Sequence, residues 1–130
     1  MILAILITGC LFIAMAYILT ESNAKYLLSG YNTMNEEEQK NFDLKRFLPF
    51  FKSFHIVLGI TTIMVGLILK FLISDFASGL LLAIYPVLAY IYFLQKSNTF
   101  YKGKSPITSR IGIVVLCVIL VFITIKLLTN

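Results

Sequence analysis

The chain has 130 residues, of which 59% are hydrophobic and 13% charged, and its formal net charge is +5. Soluble domains carry about a quarter charged residues, and a small fold must cover a proportionally large surface with polar groups. This composition excludes an ordinary soluble domain and points to a lipid bilayer as solvent.

Residues 2–20, "ILAILITGCLFIAMAYILT", form an uncharged apolar run. At about 1.5 Å rise per residue, some 17 to 20 residues cross the ~30 Å hydrocarbon layer, and a helix satisfies its own backbone hydrogen bonds there. A first transmembrane helix is predicted, continuing through "NAKYLL" into the boundary and closed by Gly30, where glycine tolerates a left-handed cap. The "ITGC" at residues 7–10 looks like a lipoprotein cleavage box. However, nothing basic precedes Ile2 and the apolar run continues past Cys10. Cys10 and Cys117 are therefore read as packing residues.

The next stretch, "SGYNTMNEEEQKNFDLKRF", is polar. Asn35 is a good N-cap with Glu38 three residues on. Glu36 and Glu37 fall in the first turn, where the helix dipole favours negative charge. A short helix over about 36–48 is predicted. Leu44, Phe47, Leu48 and Phe51 share one face of it, so it should lie in the headgroup layer and turn into the second span at Pro49.

Three more spans follow. The core of the second is residues 53–69, the third is 76–94 and the fourth 111–128. With their flanks, the four spans cover about 2–29, 50–73, 76–95 and 107–128. The fold class expected is an all-α integral membrane bundle of four transmembrane helices with a short amphipathic helix in the first loop.

Charge sets the orientation. Lys25, Lys40, Lys45, Arg46 and Lys52 lie in the first connection, and Lys96, Lys102, Lys104 and Arg110 in the second; only Lys70 and Lys126 fall on the opposite side. The positive-inside rule puts loops 21–52 and 95–110 in the cytoplasm and both termini outside a bacterial cytoplasmic membrane. Lys70 and Lys126 can snorkel to the outer boundary. Nucleic-acid binding is excluded as a reading, because the basic residues flank spans and form no groove-reading motif.

Little in the chain is reactive. His55 is the one histidine and by itself makes neither a metal site nor a triad. The acidic pairing of Glu36 to Glu38 belongs to a solvated cap. No catalytic residue, metal site or cofactor is expected, and the protein reads as a non-enzyme. His55, Tyr85 and Pro86 could flank a polar path, since ionisable groups inside a membrane are functional suspects. Gly59, with the small pairs Thr62 and Gly66, and Gly79 and Ala83, should let helices approach closely, within the chain or towards a partner helix.

With these residues in view, Gly30–Tyr31–Asn32–Thr33–Met34, placed between a first and a second span and followed by an acidic, lysine-rich helix, resembles a family of small bacterial membrane proteins known as domain of unknown function 3784. The resemblance implies a membrane protein and brings no activity with it. More distantly, Gly30, Tyr31 and Thr33 followed by a Glu-bearing helix look like the membrane immunity proteins against a sporulation-delay toxin, with Asn32 standing where an arginine is common there. Residues 30–34 with Glu36, Glu37 and Glu38 are thus the candidate partner-binding surface. The expected partners are the bilayer and another membrane protein, a membrane-active toxin or a second copy. A small transporter or channel subunit is the alternative. Asn32-Thr33-Met34 after the first span echoes Asn98-Thr99-Phe100 after the third, as a parallel repeat would. Three residues do not separate duplication from coincidence.

Overall fold

A computed structural model of the chain describes residues 1–27, 35–103 and 107–128. The described residues are helical: α1 (Ile2–Ile18), α2 (Ala24–Leu27), α3 (Glu36–Asn41), α4 (Leu44–Leu72), α5 (Asp75–Ser97), a 3₁₀ turn (Asn98–Phe100) and α6 (Ile107–Leu128). Three helices, α4, α5 and α6, are long and apolar enough to cross a membrane, and α1 is a shorter apolar helix of 17 residues.

The first span does not run on to residue 29. α1 stops at Ile18, and Leu19 is extended. Asn23 supplies the reason. Its Nδ2 donates to the Ile18 carbonyl at 2.7 Å, and its Oδ1 accepts from the Thr20 N–H at 2.7 Å. Thr20 and Ser22 hydroxyls lie 3.0 Å apart beside it. Short polar side chains that bond nearby backbone offer it an alternative to the helix.

The expected helix over 36–48 is likewise corrected. α3 ends at Asn41. Asp43 then caps a new helix, its Oδ1 accepting from the Arg46 N–H at 3.2 Å. From Leu44 the chain runs unbroken through Pro49 to Leu72. Pro49 withholds an N–H from the Lys45 carbonyl but does not end the helix. Leu44, Phe47 and Phe51 therefore belong to the first turns of α4. Their stripe faces protein, and Phe47 is buried at 3% exposure. Its ring meets those of Phe42, Phe93 and Phe100 at 5.1, 6.0 and 5.7 Å. Phe50 stacks on Phe93 at 5.4 Å, 10° from parallel. Edge and offset ring contacts each add about 0.5–1.5 kcal/mol beyond their buried area, which explains why the stripe turns inward.

This aromatic joint ties two connections together. The Asp43 N–H donates to the Phe100 carbonyl and the Lys102 N–H to the Asn41 carbonyl, both at 2.8 Å. Phe42 and Tyr101 are thereby paired antiparallel, with rings 4.7 Å apart.

At the other end, α4 turns into α5 through Ile73 and Ser74. The Ser74 hydroxyl caps α5 by accepting from the Ala77 N–H at 3.1 Å. Lys70 forms an ion pair with Asp75 across that turn.

α1 lies antiparallel along α4, and α5 packs on α4. α6 packs chiefly on α5. α1 also touches α5, through Phe12 and Tyr90, and α6 lies at the edge of this group. Cys10 and Cys117 are both exposed, contrary to the packing role expected of them, because each lies on the outer face of an outer helix.

Candidate functional site

The tightest contact between helices is built from glycine. Ile5, Gly9 and Ile13 recur every fourth residue on α1 and face α4. A Cβ at Gly59 would stand 2.5 Å from the Gly9 carbonyl oxygen, and one at Gly66 2.8 Å from Ile5 Cγ2. Thr62 lies between them, fully buried, with its hydroxyl donating to the Leu58 carbonyl at 2.7 Å. Gly59, Thr62 and Gly66 thus sit on one face of α4 against α1. Gly79 is placed differently: a Cβ there would meet only Met1 Cε, at 3.5 Å, and Ala83 is exposed. Gly9 was missed by sequence reasoning, as a lone small residue has no spacing signal of its own. Gly112 was missed for the same reason; a Cβ there would lie 3.2 Å from Leu94 Cδ1.

His55 is fully buried one turn below the aromatic joint. Its Nδ1 lies 2.8 Å from the Phe51 carbonyl, and its Nε2 lies 3.0 Å from the Tyr90 hydroxyl. A carbonyl only accepts, so Nδ1 carries the proton. In the neutral ring Nε2 then accepts from Tyr90. Rings of Phe51, Phe54 and Phe93 close around the imidazole at 4.1, 5.2 and 5.7 Å. The Tyr90 hydroxyl also reaches Met15 Sδ at 4.0 Å, which links α1 to α5 across the top of α4. Its single proton serves one acceptor at a time, and the imidazole is the nearer and stronger one. Tyr90 and Met15 were not foreseen. No sequence signal singled out Tyr90; its depth matches that of His55 only once Phe42 and Tyr101 are known to pair.

Deeper still, the Tyr85 hydroxyl is 2.6 Å from Thr61 Oγ1, which also donates to the Val57 carbonyl at 2.7 Å. Pro86 lies within α5, half-buried, one residue beyond Tyr85. His55 and Tyr85 are not brought together; each has its own partner on the facing helix. Among the described residues, no three of His, Cys, Asp and Glu are grouped as a metal site would need.

The candidate partner surface is only partly in view. Gly30, Tyr31, Asn32, Thr33 and Met34 lie outside the described residues, as does the Glu38 side chain. Glu36 and Glu37 are exposed in the first turn of α3, and the Gln39 N–H donates to the carbonyl of Asn35, just before that helix, at 3.0 Å.

Helices of this length and apolarity define a small multi-helix protein of membrane type. The chain belongs to the family described as domain of unknown function (DUF3784), whose model matches residues 6–101. That span takes in α1 from Leu6 onward, α2 to α5, the 3₁₀ turn and Tyr101, hence the Gly9–Gly59 contact, the His55–Tyr90 pair and the aromatic joint; Ile5 and α6 lie outside it. No curated protein and no solved structure shows significant similarity to the chain.

Proposed function

We propose that this chain is a four-span, non-enzymatic protein of a bacterial cytoplasmic membrane that works by binding another membrane protein or a membrane-active toxin, in the manner of an accessory or immunity protein. The observation that carries this reading is the edge position of α6. Val118 and Phe122 on that helix are 63% and 65% exposed, beside Val114 and Ile125. A helix gripped chiefly from one side presents a long face on which a partner helix can lie.

Two observations support the membrane arrangement. Tyr17 of α1 sits beside Lys52, whose Nζ is 4.6 Å from the ring centre, while Met1 sits beside Gly79. α1 therefore runs alongside α4 from the Ser74 turn to the loop end, as a fourth span would. The Phe42–Tyr101 pairing brings both basic connections to one end, as cytoplasmic loops 21–52 and 95–110 require. The partner contact would then combine the α6 face with residues 30–34 and the start of α3. A small transporter or channel subunit has less support, since the polar side chains His55, Tyr90, Thr61 and Tyr85 between α4 and α5 are already bonded to one another or to backbone.

Photo-crosslinking in living cells tests the proposal. A photoreactive residue at Val118 or Phe122 should yield one discrete, stoichiometric protein adduct, and one at Leu3, which is 70% exposed on α1, should yield none. Lipid adducts alone at all three positions would refute it.

A further inference from the structure

Between α4 and α5, on the side away from α1, runs an open groove of about 400 Å³. Two stripes line it. Phe50, Ser53 and Val57 come from α4, and Tyr85, Ala89 and Tyr92 from α5. Its walls are apolar along most of their length, and the Tyr85 hydroxyl at the deep end is already bonded to Thr61. Continued towards the loops, each stripe ends in a cation. Arg46 lies four residues before Phe50 on α4, and Lys96 four residues after Tyr92 on α5, so each occupies the same helix face as the groove residue next to it. The Phe50–Phe93 stack sets the two helices in register, which brings Arg46 and Lys96 to a common level just above the groove. Both side chains are exposed. Asp43, the nearest acidic residue in sequence to either, commits one carboxylate oxygen to the Arg46 backbone N–H.

An open apolar groove with the exposed Ser53 among its lining residues and two cations beyond one end suits a lipid with a negative headgroup. We propose that this groove binds one anionic phospholipid. An acyl chain lies between the two stripes, and the phosphate is held by Arg46 and Lys96. Arg46 offers a planar pair of donors to two phosphate oxygens, and Lys96 offers a point charge. Basic pockets between membrane helices at the inner leaflet are suited to such headgroups. The inference rests on the membrane placement proposed above but not on any protein partner.

Native mass spectrometry of the full chain, purified and delipidated in mild detergent, tests it. The chain is titrated with phosphatidylglycerol or with phosphatidylcholine of the same acyl chains. One phosphatidylglycerol should remain bound at concentrations where phosphatidylcholine is lost. Arg46→Gln and Lys96→Gln should each weaken phosphatidylglycerol about fivefold and together about 30-fold, leaving phosphatidylcholine unchanged. Ala89→Leu, which fills the groove, should weaken both lipids. Lys126→Gln removes the same charge elsewhere and should change neither.

Equal retention of the two lipids overturns the proposal, as does an equal loss from Lys126→Gln. Inorganic phosphate binding as tightly as the lipid would also overturn it, by leaving the groove without a role. So would a mass shift to a dimer that Ala89→Leu abolishes, because a second copy would then be the occupant. Loss of the crosslinked partner at α6 leaves this result untouched, and loss of lipid selectivity leaves that crosslink untouched.

Discussion

Gly9 of α1 and Gly59 of α4 bring two backbones into direct contact. A Cβ at Gly9 would fall 2.9 Å from the Gly59 carbonyl oxygen and 2.3 Å from Ile63 Cγ1. No side chain fits without separating the helices. Without a hydrophobic drive between helices in lipid, such close packing is a main source of their association. Overpacking usually costs about 1–3 kcal/mol. Less the ~1 kcal/mol that alanine gains over glycine in helix propensity, Gly59→Ala should destabilise the fold by up to about 2 kcal/mol net. Gly79→Ala, where the added Cβ makes an ordinary contact, should be neutral or slightly stabilising. Thermal unfolding midpoints in detergent separate the two; equal midpoints for both variants would remove Gly59 from the interface.

The His55–Tyr90 bond joins the second and third apolar runs at a buried point. Hydrogen bonds between membrane helices average about 0.6 kcal/mol and reach ~1.7. Tyr90→Phe leaves the imidazole Nε2 without its partner and should cost about 1–3 kcal/mol, the penalty of an unsatisfied buried group. His55→Phe keeps a ring among Phe51, Phe54 and Phe93 and should cost less than His55→Ala, which leaves a cavity. In a double-mutant cycle, His55→Phe and Tyr90→Phe should couple by roughly 0.6–1.7 kcal/mol. Strict additivity would mean that the two side chains do not depend on each other.

The three long apolar helices, α4 to α6, were legible because apolar runs of this length carry their meaning in composition alone. The interruptions were not. Asn23 and Asp43 end and restart helices through bonds to specific backbone groups, and neither residue announces from its sequence position whether it will cap or stay in register. The ring stripe was legible as a stripe, but periodicity does not say whether a face meets lipid or protein. Only the rings of Phe93 and Phe100, about 50 residues on, decide that. Among the packing residues, Gly59, Thr62 and Gly66 were visible from their spacing on one helix. Gly9, their counterpart, became visible only once α1 was placed beside them.

The paired loops offer a covalent check. Phe42 and Tyr101 are a non-hydrogen-bonded antiparallel pair, flanked by the Asp43–Phe100 and Lys102–Asn41 bonds. Such pairs bring side chains closest, within the range a disulfide spans. In a chain carrying Cys10→Ser and Cys117→Ser, Phe42→Cys with Tyr101→Cys should form an intramolecular disulfide on mild oxidation of the purified protein. Either cysteine alone should not. A product crosslinked only between chains would show that the two connections do not meet within one molecule.

Orientation follows from the same pairing. Because Asn41 and Lys102 share a backbone hydrogen bond, the segments holding them must lie on one side of any membrane the helices cross. The Ser74 turn, at the far end of α4, must lie on the other. In sequence, nine of the eleven basic residues fall in or beside the two connections that meet there, so that side should be the cytoplasm. In the Cys10→Ser, Cys117→Ser chain, Ser74→Cys should react with a membrane-impermeant maleimide in intact cells. Lys40→Cys and Lys102→Cys should react only after permeabilisation. The reverse pattern would preserve the fold but invert the chain, leaving the basic loops outside and the anionic-lipid groove facing the outer leaflet. Labelling of one loop without the other would be more damaging, since no single orientation allows it while Phe42 and Tyr101 remain paired.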